Sequence, residues 1–426
     1  MSMDNFHPGI EFAHQLDIND ELVSFREAFI NTESDLIYMD GNSLGRLSKT
    51  VPERIRSAIN EEWGHDLIRG WNKNWYSSPV RVGEKIALLV GAAPGQVVVS
   101  DSTSVNLFKL VLAALSLHPE RTRIISDTLN FPSDLYILQG CSRLLGGRHD
   151  IIRIGSNDGD ITPDIESLYS SIDNNTALIT LSQVAFKSGF LYDMAAVTAR
   201  AHRHGALVLW DLSHSAGVIP IQLDTCDVDF AVGCTYKYLN GGPGSPAFLY
   251  VRKDLQDVTL SPIWGWFSQK SPFTFDLDYN PATGITRFLA GTPPILSLLT
   301  LESALNTIQE AGIVRLRRKS VLLTEYIVFL ADTVLSPLGF SLGSPRDPER
   351  RGSHVSLRHP EGYRISRSLV EELNVLPDFR EPDNIRFGLS PLYTSFTEVW
   401  QAVERTRRAL EEKLYQKYPA KRLTVT

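Results

Sequence analysis

Two short blocks place reactive residue types directly after apolar runs. In Trp210-Asp211-Leu212-Ser213-His214-Ser215-Ala216-Gly217 the run ends in a carboxylate, with a histidine three residues on. In Cys234-Thr235-Tyr236-Lys237-Tyr238-Leu239-Asn240-Gly241-Gly242-Pro243-Gly244 it ends in a lysine between two tyrosines, followed by a glycine-rich turn. A carboxylate in apolar surroundings needs a partner, because an unpaired buried charge is costly. A lysine in such surroundings gives up its proton more readily and becomes an amine able to form a Schiff base. Each also has a plain structural reading: Asp211 as a helix N-cap, Lys237 as a surface cation.

Taken together the blocks are more informative. Asp211 and Lys237 stand 26 residues apart, at the ends of successive expected strands. That arrangement suits pyridoxal phosphate, with the lysine on the aldehyde carbon and the aspartate paired to the ring nitrogen. A protonated ring nitrogen makes the ring an electron sink. Asp101-Ser102-Thr103-Ser104-Val105-Asn106 lies between Val97-Val98-Val99 and an amphipathic helix. Its hydroxyls and free N–H groups suit a phosphate, and they serve equally as a cap. Neither GxGxxG nor GxxxxGK[ST] occurs, so the nucleotide folds that carry those signatures lack them here.

Three further segments are candidates for the same site. Phe131-Pro132-Ser133-Asp134 follows a strand, so its aromatic ring can stack on a cofactor; it also reads as a helix start with Pro at N1. Trp264-Gly265-Trp266-Phe267 and Gly291-Thr292-Pro293-Pro294 are rigid turns. Arg386, inside the apolar Ile385-Arg386-Phe387-Gly388, suits a two-pronged grip on a substrate carboxylate, or an ion pair with Asp383 or Glu381. His202 and His204 lack acid or Cys companions at ligand spacing, so no metal site is expected. Cys141, Cys226 and Cys234 read as small core residues.

The elements that must position these residues alternate. Short apolar runs at Val97–Val99, Arg123–Ile125, Ile151–Ile154, Ala177–Leu181, Ala206–Trp210, Phe230–Val232 and Ala247–Val251 read as strands, several of them buried on both faces. Helical segments at Val105–His118, Ser133–Leu145 and Asp193–His204 separate them. The pattern predicts an α/β fold with a mainly parallel seven-stranded sheet, whose ligands sit at the carboxyl ends of the strands. From Pro294 the pattern becomes α+β: long helices at Leu296–Ala311 and Ile313–Leu335, then shorter units to a last helix from Thr397. Residues 1–60 are expected to form an arm and helix joining a small domain, 61–311 the large domain, and 312–426 the small one. The charged, proline-rich run at 345–352 reads as a solvated loop.

Composition excludes several classes. At 426 residues, 43% hydrophobic and 21% charged, the chain is neither disordered nor fibrous. A net charge of −7 gives no global attraction to nucleic acid or anionic membrane. Three sparse cysteines argue against a disulfide framework and fit a reducing compartment. Residues 1–25 hold no Lys or Arg, unlike a secretory or transit signal. The longest apolar stretch, around Leu107–Leu117, is interrupted by Lys109 and too short for a bilayer. The expectation is a cytoplasmic protein with no membrane or nucleic-acid partner.

With these motifs in place, the chain resembles the kynureninase family, pyridoxal phosphate enzymes of the aspartate aminotransferase fold (fold type I), from about Tyr38 to the last helix. The carriers are YMDGNSLG at 38–45, FPSD at 131–134, DLSHSAG at 211–217, TYKYLNGGPG at 235–244, GWF at 265–267 and the Arg386 motif with Pro391-Leu392-Tyr393 behind it. DLSHSAG and TYKYLN suit several relatives of that fold; the N-terminal block, FPSD and GWF narrow the choice. The resemblance implies that Lys237 is the Schiff-base lysine, that Asp211 pairs with the pyridinium nitrogen and that His214 supports the ring. It implies that Phe131 stacks on the ring near Asp134. It places Thr103, Ser104, Tyr236, Trp266 and Thr292 against the cofactor or its phosphate, with Ser182 on a further cofactor position. Tyr236 is a candidate proton shuttle, and Arg386 would hold the substrate's α-carboxylate. Gly-Thr-Pro-Pro at 291–294 stands where some relatives have Asn for Thr.

The implied reaction is hydrolysis of L-kynurenine, or its 3-hydroxy derivative, to anthranilate or 3-hydroxyanthranilate and L-alanine in tryptophan catabolism. The implied assembly is a homodimer whose sites use residues of both subunits. An aminotransferase shares the Lys–Asp core. A cysteine desulfurase needs a cysteine well after the lysine, and none follows Cys234. A non-catalytic relative would be expected to lose Lys237 or Asp211.

Overall fold

The computed structural model describes residues 6–31 and 33–421. An N-terminal arm holds α1 (Ile10–Ile18), β1 (Ile37–Tyr38) and α2 (Thr50–Ser57), and α3 (Ser78–Val90) follows. Seven strands then build the main sheet: β2 (Val97–Val99), β3 (Arg123–Asp127), β4 (Asp150–Ile154), β5 (Thr176–Ser182), β6 (Leu207–Asp211), β7 (Phe230–Gly233) and β8 (Phe248–Val251). Their order is β2-β8-β7-β6-β5-β3-β4. β8 runs antiparallel to both neighbours, and the other pairs are parallel. The mainly parallel seven-stranded sheet expected from the apolar runs is therefore present.

Helices cover both faces: α4 (Thr103–Leu117), α5 (Pro132–Leu144), α6 (Ile165–Ser171), α7 (Met194–His202), α8 (Lys253–Gln256) and α9 (Ile295–Ala311). The strand period of two divides the side chains between two cores. Val97, Val99, Val208 and Trp210 enter one; Val98, Leu207 and Leu209 enter the other. This is why β5 to β8 are buried at every position and read as unbroken apolar runs.

The smaller layer starts with α10 (Ile313–Leu330). β9 (Ser341–Leu342), β10 (His354–Arg358), α11 (Gly362–Glu372), β11 (Val375–Leu376), β12 (Asp378–Arg380), β13 (Asn384–Gly388) and α12 (Phe396–Glu411) complete it. Its antiparallel sheet runs β12-β13-β10-β9, and β11 pairs with β1 of the arm. The arm divides between the two layers. Phe6, Ala13, Leu16, Ile37 and Met39 join the small core, whereas Leu22 and Phe29 join the large one and α2 packs on α9.

Two expectations need correction. Leu107–Leu117 is not the apolar stretch closest to membrane length: Ile313–Leu338 is long and apolar enough to cross one. In the fold it is the central helix of the small core, with Leu323, Tyr326 and Ile327 fully buried. The run at 345–352 is not solvated throughout. Arg351 has no exposed surface; it pairs with Glu325 and donates to the carbonyls of Pro345 and Arg346. Those acceptors offset the desolvation that the sequence pattern could not foresee.

The N-terminal block clasps both layers at once. The Gly45 N–H donates to the Tyr236 carbonyl at 2.8 Å, and a Cβ on Gly45 would stand 2.4 Å from the Lys237 carbonyl. On the other side, a Cβ on Gly388 of β13 would stand 1.7 Å from Asn42 Oδ1. Only glycine permits either approach. The arm is fastened further by Lys319 and Asp20, an ion pair at 2.6 Å whose side chains are 3% and 4% exposed. Asp20→Ala leaves that ammonium buried and unpaired, so urea unfolding should show a loss of about 3–5 kcal/mol. A loss below about 1 kcal/mol, as for an exposed pair, would show that the contact does not fasten the arm.

Candidate active site

The carboxyl ends of β2, β3, β6 and β7 surround one cavity of about 480 Å³, within the range of small-molecule sites. Its lining includes Thr103 and Ser104 after β2, Phe131 and Asp134 after β3, Asp211 and His214 after β6, and Tyr236 and Lys237 after β7. Eight of the residues proposed from sequence thus meet in one place. Four others, Ser182, Trp266, Thr292 and Arg386, do not line it.

Lys237 sits at the centre. Its Nζ donates to His214 Nε2 at 2.8 Å and lies 5.9 Å from the centroids of both the Phe131 and Tyr236 rings. Burial, helped by the charge of Lys237, pulls His214 well below the ordinary histidine range. The ring is therefore neutral, and accepting at Nε2 puts its hydrogen on Nδ1, which is buried without a partner. Burial pushes the Tyr236 phenol up, so it stays protonated near neutral pH.

Asp211 and Asp134 form a buried carboxylate pair. Asp211 Oδ1 accepts the Ser213 N–H at 2.8 Å, an Asx turn set by the Asp-x-Ser spacing. Burial raises both acids, and the charge of Asp211 raises Asp134 further. Two like charges so close cannot both ionise cheaply, so Asp134 holds the shared proton and Asp211 the charge. Asp134 Oδ2 is buried with no partner. Orphaned polar atoms on His214 and Asp134, a lysine amine and a hydroxyl-rich helix start are the donor set that pyridoxal phosphate requires, and the cavity fits it.

Ser182 stands behind the wall. Its Oγ donates to Asn130 Oδ1 at 2.7 Å, and that oxygen also accepts the Phe131 N–H at 2.8 Å. Ser182 thus braces the turn that presents Phe131. Trp266 is 39% exposed and packs edge-on to Trp71 and Phe267, away from the cavity. Thr292 is exposed, two residues before the cavity-lining Pro294. Arg386 is 1% exposed and pairs with Asp378, whereas Asp383 pairs with Arg358. The Arg386 Nε donates to Asp378 Oδ1 at 3.0 Å, its Nη2 to Asp378 Oδ2 and to Ser43 Oγ at 2.8 Å, and its Nη1 to the Phe186 carbonyl. Asp378 lies opposite Arg386 in the β12–β13 register, a pairing of antiparallel neighbours that spacing alone does not reveal. Sequence reasoning also missed Ser213, Ser245 and Pro246 in the cavity wall; the Asx turn and the end of the glycine-rich loop were the available signals.

A mainly parallel sheet with a lysine, a buried aspartate and a helix N-terminus at its carboxyl edge defines a fold type I pyridoxal phosphate enzyme. Solved structures agree on the fold. A cysteine desulfurase from Thermococcus onnurineus NA1 superposes with a TM-score of 0.79 over 91% of this chain and 98% of its own, at 19% identity. The cysteine desulfurase CsdA from Escherichia coli gives 0.77 over 92% and 99%, at 17%. Sequence relatives are more specific. The chain is 43% identical over 405 residues to a kynureninase from Pseudomonas fluorescens, covering 94% of this chain and 95% of the relative. It is 42% identical over 407 residues to one from Burkholderia pseudomallei strain 1106a, with the same coverage. A sequence profile of the kynureninase C-terminal domain matches residues 316–406. The chain belongs to the kynureninase family, pyridoxal phosphate-dependent hydrolases of carbon–carbon bonds.

The carboxylate pair has a pH signature. Folded-state values raised above the unfolded 3.8 mean that the native chain binds more protons, so this contribution to stability falls as pH rises from about 4 through the raised values. His214 and His354, both held well below 6.5, tilt the other way: their share is lost as pH falls through the unfolded value. Asp134→Asn removes the Asp134 share of the first slope and leaves the second. Urea midpoints of cofactor-free chain between pH 5 and 9 should therefore decline less with rising pH in Asp134→Asn than in wild type. Parallel curves would show that the two acids do not share a proton.

Proposed function

We propose that this chain hydrolyses L-kynurenine to anthranilate and L-alanine, with Lys237 as Schiff-base lysine and proton carrier and Arg386 as the carboxylate grip. The observation that carries the reading is the juxtaposition of Lys237, neutral His214 and the Asp211–Asp134 pair in one cavity, in a chain of this family. Pyridoxal phosphate, when bound, supplies the sink for the electron pair released at the substrate's α-carbon. Asp211 holds the charge that keeps the ring nitrogen protonated. Lys237 would take the α-proton, and His214 receives the hydrogen bond that fixes the lysine's position. Water would supply the hydroxyl that the acyl carbon gains as the Cβ–Cγ bond breaks, and Tyr236, a protonated phenol beside the lysine, would give the retained β-carbon its proton. Phe131 covers the ring face. Thr103 and Ser104, at the start of α4, receive the phosphate.

Arg386 holds Asp378 with its Nε–Nη2 edge and gives further Nη2 and Nη1 hydrogens to Ser43 and the Phe186 carbonyl, so a substrate carboxylate would be gripped by Nη1 and Nη2 in exchange for those two neutral acceptors. Trp266 and Thr292, outside the cavity of their own chain, are assigned to the cavity of a second copy, which makes the working unit a homodimer. Ser182 acts through Asn130. Trp71, Trp75, Trp266 and Phe267 are the candidates for an aromatic wall around the aryl ketone. Three free cysteines fit a cytoplasmic setting, and no nucleic-acid or membrane partner is called for.

Incubation with L-kynurenine should release anthranilate and alanine in equal amounts with no keto acid present. Kynurenic acid that depends on an added keto acid, without anthranilate, would identify an aminotransferase instead. Lys237→Ala should lose the cofactor attachment fixed by borohydride. Arg386→Lys keeps the charge but loses the fork, so kcat/KM should fall roughly tenfold or more. Unchanged kinetics in a folded variant would move the carboxylate grip elsewhere.

A further inference from the structure

The phosphate end of the cavity carries a charge of the wrong sign. Asp101 immediately precedes the Ser102-Thr103-Ser104 turn, lines the cavity and is 31% exposed along its side chain. Its backbone is held at φ 51°, a left-handed conformation that is costly for a residue with a Cβ. A carboxylate beside a dianionic phosphate repels it, most strongly where little water intervenes.

Behind Asp101, on the next turns of α4, stands Lys109. It has no exposed surface. Its Nζ donates to Asp101 Oδ2, to the Phe288 carbonyl at 2.7 Å and to Ser100 Oγ at 3.3 Å, which uses all three ammonium hydrogens. Ser100 Oγ also donates to Asp101 Oδ2. Burial pulls the lysine below its ordinary range and Asp101 opposes that shift. A wholly buried ammonium is expensive, and this one reaches no group that carries the chemistry.

We propose that Lys109 is a buried counter-charge to Asp101, whose presence lets the α4 end of the cavity accept a dianionic phosphate. Lys109 touches neither cofactor nor substrate; it acts through Asp101 as a positioning residue. The inference rests on the reading of the α4 start as the phosphate seat, and the test separates the two.

Full-length chain stripped of cofactor is titrated with pyridoxal phosphate and, separately, with pyridoxal, which lacks the phosphate, following cofactor absorbance. Lys109→Met should weaken pyridoxal phosphate roughly tenfold or more, the size of a partly screened charge interaction, and change pyridoxal by less than about threefold. Asp101→Asn should act in the opposite direction, leaving pyridoxal phosphate bound as well as or better than in wild type. The double variant K109M/D101N should return to near the wild-type ratio. A purely structural clamp would weaken both ligands together and in both single variants, and that result overturns the proposal. So does a double variant as weak as Lys109→Met. Should Lys109→Met not fold, the sign of the Asp101→Asn effect decides alone. A wild-type chain that binds the two ligands equally would instead overturn the phosphate seat.

Discussion

Asp211 and Lys237 bring charge to the edge of a sheet whose strands are otherwise apolar, and much of the surrounding structure limits the cost of doing so. The sheet must be buried on both faces to hold together, so charged groups can enter only where strands end. There the backbone N–H of Ser213 and the proton on Asp134 meet Asp211, and a neutral imidazole meets Lys237. None of these partners neutralises its group completely. Asp134 and His214 each keep an unpartnered buried atom, so the site is polarised in advance for a ligand that is itself charged.

The same requirement ties the smaller layer and the arm to the main sheet. Arg386 is fixed by Asp378 from the neighbouring strand and by Ser43 from the arm, and it also reaches the Phe186 carbonyl, which follows β5. Asp40 stands in this cluster with its carboxyl pushed up to about 7, by burial first and by the charge of Asp378 second. Here two guanidinium groups, Arg380 and Arg386, face two carboxylates, Asp40 and Asp378, across a junction of three chain segments. The glycines at 45 and 388 explain why the arm can come this close. Its N-terminal block is the strap that sets Arg386 relative to Lys237.

The strand ends were legible in the sequence because burial on both faces writes itself as an apolar run, and the first polar residue after such a run marks the edge. That rule located Asp211, Lys237, Phe131 and the Ser102–Ser104 turn. It could not find partners supplied by register. Asp378 faces Arg386 only because β12 and β13 pair antiparallel, and Asn130 meets Ser182 only because β3 lies beside β5. The buried Arg351 was misread for a related reason: its acceptors are backbone carbonyls and Glu325 on a distant helix, which a local count of charges does not contain. The helical irregularities at 58–75 likewise left no periodic trace.

The fold is shared with cysteine desulfurases, so what separates the chemistries must lie in side chains rather than topology. Desulfuration needs an accessible thiolate. Here Cys234 lies directly under the site but is buried, with Sγ against the Ser213 carbonyl at 3.8 Å, and burial raises its thiol. Cys141 is pushed up to about 12 by burial. A thiol held protonated and enclosed is neither a nucleophile nor a persulfide carrier. Beside the lysine, with its ring centroid 5.9 Å from Nζ, stands Tyr236, a phenol that stays protonated and lines the cavity. Both chemistries leave a β-carbon that must be protonated, which a protonated phenol suits; what separates them here is the sulfur acceptor, since burial raises all three thiols above their ordinary range.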